Sequence, residues 1–293
     1  MRDITILIDD RARLVTAVLA ASRWPQIEQA QLTHAVHPHA KQTQQFVQRV
    51  ADHGAVTAVN NALDQNIPLT TFFSTALRAS WGSFISREPL PNTDGFAAAD
   101  WLKQLPDFGE KSGLSVFWAA HQPAWDEGVS DLQAIFYNST IGRFVAHLRR
   151  QPLPQQIAIM PNIVYPALQP VLAETAETVY LLLPPPKAVG ESPPWPFDED
   201  PGWVLARTCH VLIDHFLVNI LAQFNPNQQQ LLKYAATTLF LEEAIDETEA
   251  AGYLIRTKKQ HKLPRLPLAV EELRHWLKRE DRELFELDVM REA

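Results

Sequence analysis

Residues 203–223 read WVLARTCHVLIDHFLVNILAQ. The spacing predicts one long helix that is apolar on nearly every face, as expected of a helix packed on all sides. Its middle nevertheless carries His210, Asp214, His215 and Asn219. Polar groups inside a core are costly unless they are paired, neutralised or bound to something. Perturbed ionisable groups also gather at functional sites. The candidate site is therefore placed on this helix.

Helix geometry sorts these residues. Residues four apart lie about 40° apart around the axis, so His210 and Asp214 share a face, while His215 lies about 140° from His210. His and Asp are both competent ligands for a divalent metal. Alternatively, His210 with Asp214, and His215 with Asn219, form two buried hydrogen-bonded pairs across one turn each. Cys209 cannot activate against His210, because neighbouring helix residues diverge by about 100°.

The flanking sequence supplies a setting. Downstream, Asn225-Pro226 reads as cap and first position of a second long helix, 228–246. Residues 248–256 and 270–278 follow as helices, joined by a basic, proline-broken linker. Upstream, 156–160 (QIAIM) and 178–183 (TVYLLL) are short β-type runs bracketed by prolines. Residues 4–8 suggest a further strand or extended lead-in. Before the β-type runs the chain reads as helices at 14–21, 41–50, 55–63, 70–77, 97–105, 114–120, 124–136 and 141–148. Gln122-Pro123 is read as a break between two of them. The expectation is an α+β, mainly α protein, with a helical half over 1–150 and a half over 151–293 that combines a small mixed sheet with long buried helices.

Composition narrows the function. Of 293 residues 46% are hydrophobic, enough for a large core. The net charge of -8, with no dense run of Lys or Arg, argues against nucleic acid as a partner. One cysteine allows no intrachain disulfide. The 10 glycines include neither GxGxxG nor GxxxxGK[ST] spacing, which argues against a phosphate-cradling loop. Acidic and basic residues interrupt residues 1–24, and no apolar run is long enough to span a bilayer. The expected setting is soluble and cytoplasmic, with no membrane partner.

Several stretches resemble a poorly characterised bacterial family of HExxH-bearing, gluzincin-like metallopeptidases. They are SRW (22–24), HPHAKQTQQF (37–46), DHGAV (52–56), FWAAHQPAWDE (117–127), IAIMPN (157–162) and, most tellingly, HFLVN (215–219). The resemblance implies a zincin-like fold, in which an HExxH helix supplies two zinc ligands and a general base. The next helix then supplies a third ligand. In the register that places His215 in the second His position and keeps Asn219, Val211 stands in the first His position and Leu212 in the Glu position. Neither can bind zinc or move a proton. The segment EEAIDE (242–247) resembles the third-ligand region, which makes Glu242, Glu243 and Glu247 candidates.

Two readings follow. In the first the zinc motif is lost, no cofactor is expected, and the protein binds a peptide or protein segment in a strand-edged groove around 157–164, with Ile157, Met160, Asn162 and Asn219 as binding residues. In the second a metal-dependent hydrolase survives on a rebuilt zinc site of His210 and Asp214, completed by Glu242, Glu243 or Glu247, with His215 as a relic or partial ligand. Elsewhere, His34, His37 and His39 in THAVHPHA read as a solvated turn, and His121 as a helix terminator. The eight Trp residues read as core.

Overall fold

A computed structural model describes residues 4–187 and 192–279. It confirms an α+β, mainly α fold. The described chain divides into two compact units. Of the described residues, one comprises 4–134, 155–187 and 192–200; the other comprises 135–154 and 201–279.

The larger unit begins with strand β1 (Ile4–Ile6) and helices α1 (Asp10–Ala21), α2 (Trp24–Gln31), α3 (Pro38–Val47), α4 (Gly54–Asp64), α5 (Leu69–Leu77), α6 (Ala98–Ser112) and α7 (Leu114–Ile135). Every residue of α1 from Ala12 to Ala21 is buried. Helices α2, α3, α4 and α5 pack around it. This, and not residues 203–223, is the all-round apolar helix of the chain. The expected break at Pro123 does not occur: α7 runs through it. Phe117 and Trp118 before the proline, and Trp125 and Leu132 after it, are all buried and hold both segments of the helix in the core.

Strands β2 (Gln156–Pro161), β3 (Val171–Glu174) and β4 (Thr178–Leu183) complete a four-stranded sheet of order β1-β2-β4-β3. Strands β1, β2 and β4 run parallel, with Ile159 opposite both Ile6 and Leu181. The short β3 is antiparallel to β4. Parallel strands covered on both faces read as unbroken apolar runs, which is why IAIMP and LLL show no alternation. The expected edge groove at 157–164 is corrected by this order. Strand β2 is central, its main chain is paired on both sides, and Ile157 and Met160 are interior. Asn162 is equally buried: its amide donates to the Pro166 carbonyl at 2.9 Å and accepts from the Val164 amide at 3.2 Å. It braces a turn.

The edges are β1 and β3, and β3 is closed by α5 and the residue that follows it. Thr70 donates to the Leu172 carbonyl. Ser74 accepts from the Glu174 amide at 3.1 Å, and Arg78 donates to the Glu174 carbonyl at 3.0 Å. The spacing of four puts all three side chains on one helical stripe, and a covered edge cannot add a further strand. Replacing Ser74 with alanine should cost about 1 kcal/mol and speed hydrogen exchange at the Glu174 amide. Unchanged exchange at that amide would mean the edge is not capped this way.

The smaller unit contains α8 (Ile141–Arg149), α9 (Pro201–Phe216), α10 (Val218–Leu221), α11 (Pro226–Ala244), α12 (Glu247–Gln260) and α13 (Leu266–Leu277). The single long helix expected over 203–223 is two. Leu217, at φ -105 and ψ 14, leaves helical geometry between α9 and α10. Helix α9 is also two-faced. Leu205, Thr208, Cys209, Leu212 and Phe216 are buried, whereas Arg207, His210, Val211 and Asp214 lie on the less covered side. The start of α11 is as the sequence predicts. Asn225 accepts from the Gln228 amide at 3.0 Å, Gln228 accepts from the Asn225 amide at 2.8 Å, and Pro226 opens the helix.

Candidate functional site on α9, α11 and α12

On the open face of α9, His210 Nε2 lies 3.7 Å from Asp214 Oδ2. The closer partner of Asp214 comes from α11: Lys233 Nζ is 2.9 Å from Asp214 Oδ1. The Asp214 side chain is 46% exposed, so the expected buried His-Asp pair becomes a half-open triad with a lysine in it. Tyr234, next to Lys233 on α11, places its ring 5.1 Å from that of His210 and stacks on His261 at 4.7 Å. The Tyr234 hydroxyl and His261 Nε2 are hydrogen-bonded at 3.1 Å. Burial pushes His210 down to about 4. The charge of Asp214 opposes this shift, and Lys233, Arg207 and His261 reinforce it. The ring is therefore neutral at neutral pH.

The remaining sequence candidates do not converge on this point. His215 lies edge-on to Phe216, with ring centres 4.7 Å apart. Glu242 is held by both terminal nitrogens of Arg274 on α13, one at 2.7 Å, and that guanidinium lowers its pKa. Glu243 accepts from the Thr140 hydroxyl at 2.6 Å. Asn219 lies beyond the break, exposed on α10. It does not share a continuous helix with His215, contrary to the pairing expected from their spacing. Cys209 is fully buried, and burial pushes its thiol up, away from thiolate chemistry. Among the described residues, no group of three His, Cys, Asp or Glu side chains is placed to hold a metal ion. The donors present do not fit zinc. The carboxylate nearest His210 already has an ammonium on it, and a metal there would meet a like charge.

No protein-family model matches the chain, and neither does any curated protein or any solved structure. The resemblance around α9 rests on the residues quoted for it. No described helix is long and apolar enough to cross a membrane.

The sequence reading did not single out Lys233, Tyr234, His261 or Arg207, which complete the face. Arg207 precedes His210 by three positions and Asp214 by seven, which brings all three to one side of α9. Tyr234 carries the ring that joins His210 to His261. The i, i+3, i+7 spacing of Arg207 with His210 and Asp214 was the signal available in the sequence.

The larger unit holds His34, His37, His39 and His121, and the first three are not a solvated turn. Pro38 opens α3, and His37 caps it by accepting from the His39 amide at 3.2 Å. His39 is thereby carried to the buried face of α3, where it accepts from Trp125 Nε1 at 3.0 Å. The Arg13 guanidinium lies 4.6 Å from the Trp118 ring centre and 4.7 Å from that of Trp125. His121 is in the body of α7, not at its end, with Nδ1 2.8 Å from the Phe117 carbonyl. This is an aromatic and cationic core in which every ring is braced by a neighbour.

Proposed function

We propose that this chain is a zincin-like scaffold that has lost its zinc motif and acts as a cytoplasmic binding protein rather than a hydrolase. The observation that carries the reading is the Lys233–Asp214 contact at 2.9 Å. A fixed cation takes the carboxylate that a rebuilt metal site would need. Val211 and Leu212, at the positions the resemblance assigns to the first His and the general base, support it from the sequence side. The engagement of Glu242 by Arg274 and of Glu243 by Thr140 supports it from the neighbouring helices.

The test is metal analysis of protein purified without chelator, together with melting curves in added zinc. A ligand that binds only the folded state must stabilise it, by about 2.7 kcal/mol at a hundredfold excess over Kd. The expected result is substoichiometric zinc and an unmoved Tm. One zinc per chain, lost in His210→Ala, would overturn the reading in favour of a metal-dependent hydrolase built on His210 and Asp214.

A further inference from the structure

In the larger unit, helix α7 carries Ala124, Glu127, Gly128 and Asp131 on one stripe, at the spacing i, i+3, i+4, i+7. Gly128 sets how close that stripe comes to the sheet. A Cβ there would lie 3.0 Å from Pro161 Cβ, at the end of β2, and 3.3 Å from the Phe197 ring. The segment 194–197 (PWPF) is tied to the chain leaving β4, because the Trp195 amide donates to the Pro186 carbonyl at 2.9 Å. Ile163 and Pro185, each two residues beyond the end of its strand, join the stripe and the PWPF segment around one cavity. Its volume is about 70 Å³, room for roughly five water molecules. It lies outside the carboxyl ends of two neighbouring parallel strands, where open parallel sheets take their ligands.

The volume suits a head group rather than a large molecule, and the walls select its charge. Glu127 and Asp131 bring two carboxylates, and no lysine or arginine is among the described lining residues. His37 also lines the cavity without supplying a cation. Its Nδ1 accepts the His39 amide and burial lowers its pKa, so the ring is neutral with its hydrogen on Nε2. Burial, then the like charges of Asp198 and Glu127, raises the Asp131 carboxyl, a cost that a bound cation would relieve. The other wall is aromatic: Trp195 is 42% exposed, beside Phe197 at 2%. We propose that this cavity binds a primary ammonium group, carried by a lysine side chain or by a small alkylamine. The three N–H donors of such a group match the carboxylates in charge-assisted hydrogen bonds, and the Trp195 face attracts its charge. Two carboxylates beside an aromatic wall are too few oxygen donors for calcium, which takes six to eight. The site lies on α7 and not on α9, so the proposal stands or falls separately from the loss of the zinc motif.

The experiment titrates the full chain with n-butylammonium chloride and, separately, with Nα-acetyl-lysine amide, at fixed ionic strength, by calorimetry and by backbone amide shifts of residues 124–131 and 194–197. Saturable binding of at least one probe is expected, weakened about tenfold in Glu127→Gln and about threefold in Trp195→Ala. Both positions are exposed, and circular dichroism checks that each variant folds. Glu177→Gln, which removes the same charge from an exposed site outside the cavity, should leave binding unchanged. Tighter binding of the lysine derivative assigns the ligand as a side chain of a peptide, and tighter binding of n-butylammonium assigns it as a free amine. No saturable binding of either probe up to about 50 mM overturns the proposal, as does equal affinity in the wild type and a folded Glu127→Gln. Saturable calcium binding in place of either amine would overturn it as well.

Discussion

Trp125→Ala is expected to cost about 3–5 kcal/mol, against a total stability on the order of 5–15 kcal/mol for a folded domain. Trp125 is 2% exposed and touches three things at once. It fills the core beneath α7, its Nε1 donates to His39, and its ring faces the Arg13 guanidinium. Alanine leaves a cavity, deprives the His39 ring of its donor and removes one aromatic surface from a charge that is itself 4% exposed. The measurement is the urea midpoint followed by far-ultraviolet circular dichroism. Two further variants grade the effect. Trp125→Phe keeps a ring against Arg13 but loses the Nε1 donor, and should cost about 1–2 kcal/mol. Trp81→Ala, at a position 51% exposed, should stay within about 0.5 kcal/mol. A loss in Trp125→Ala no greater than in Trp81→Ala would show that the Arg13–Trp125–His39 arrangement does not form.

The sequence reading succeeds where a few neighbouring residues decide the outcome, and it fails where the deciding partner is distant. Asn225, Pro226 and Gln228 specify the start of α11 by their own hydrogen bonds, so a three-residue pattern suffices. The runs IAIMP and TVYLLL are legible as strands because both faces are covered. Strand β3 is missed because VLAE is four residues long and is fixed only by pairing with β4 and capping from α5. Pro38 reads as a turn former, yet its fixed φ suits the first turn of α3, which carries His39 inward. On α9, His210 and Asp214 are found by their spacing, but the residue that controls them is not. Lys233 lies nineteen positions beyond Asp214 on another helix, and no periodicity links the two. Exposure behaves in the same way. Helix α9 reads as apolar all round because Val211 sits among its polar residues, whereas the packing of α11 leaves that side half-open. The apolar pattern thus locates the helix, and contacts between helices decide which of its polar residues are paired.

Acid should destabilise the larger unit through His39, and the window follows from the direction of its shift. Burial, then the like charges of His121, His37 and Arg13, pushes His39 down from 6.5 to about 4. The unfolded chain, with its histidine near 6.5, takes up the proton first as pH falls. The stability gained by keeping the ring neutral is therefore complete above about 6.5 and is lost as pH drops towards 4. A shift of this size is worth about 3 kcal/mol at the low end of the window. His37 works in the same direction. Burial lowers its pKa, and its Nδ1 must stay unprotonated to accept the His39 amide that caps α3. Burial raises Glu28 and Asp131, so the difference between the two proteins isolates His39: between pH 5 and 6.5 Tm should fall with pH in the wild type and more shallowly in His39→Gln. His210, also pushed down to about 4, adds a term of the same sign in the smaller unit. His210→Gln therefore serves as an independent variant whose effect should add to that of His39→Gln. Ring carbon shifts give the direct reading: the His39 resonance should titrate near 4 in the folded chain and near 6.5 in urea. A His39 midpoint above about 6 in the folded protein, or identical slopes of Tm against pH in wild type and His39→Gln, would mean that the ring is solvated and the α3–α7 core is packed differently.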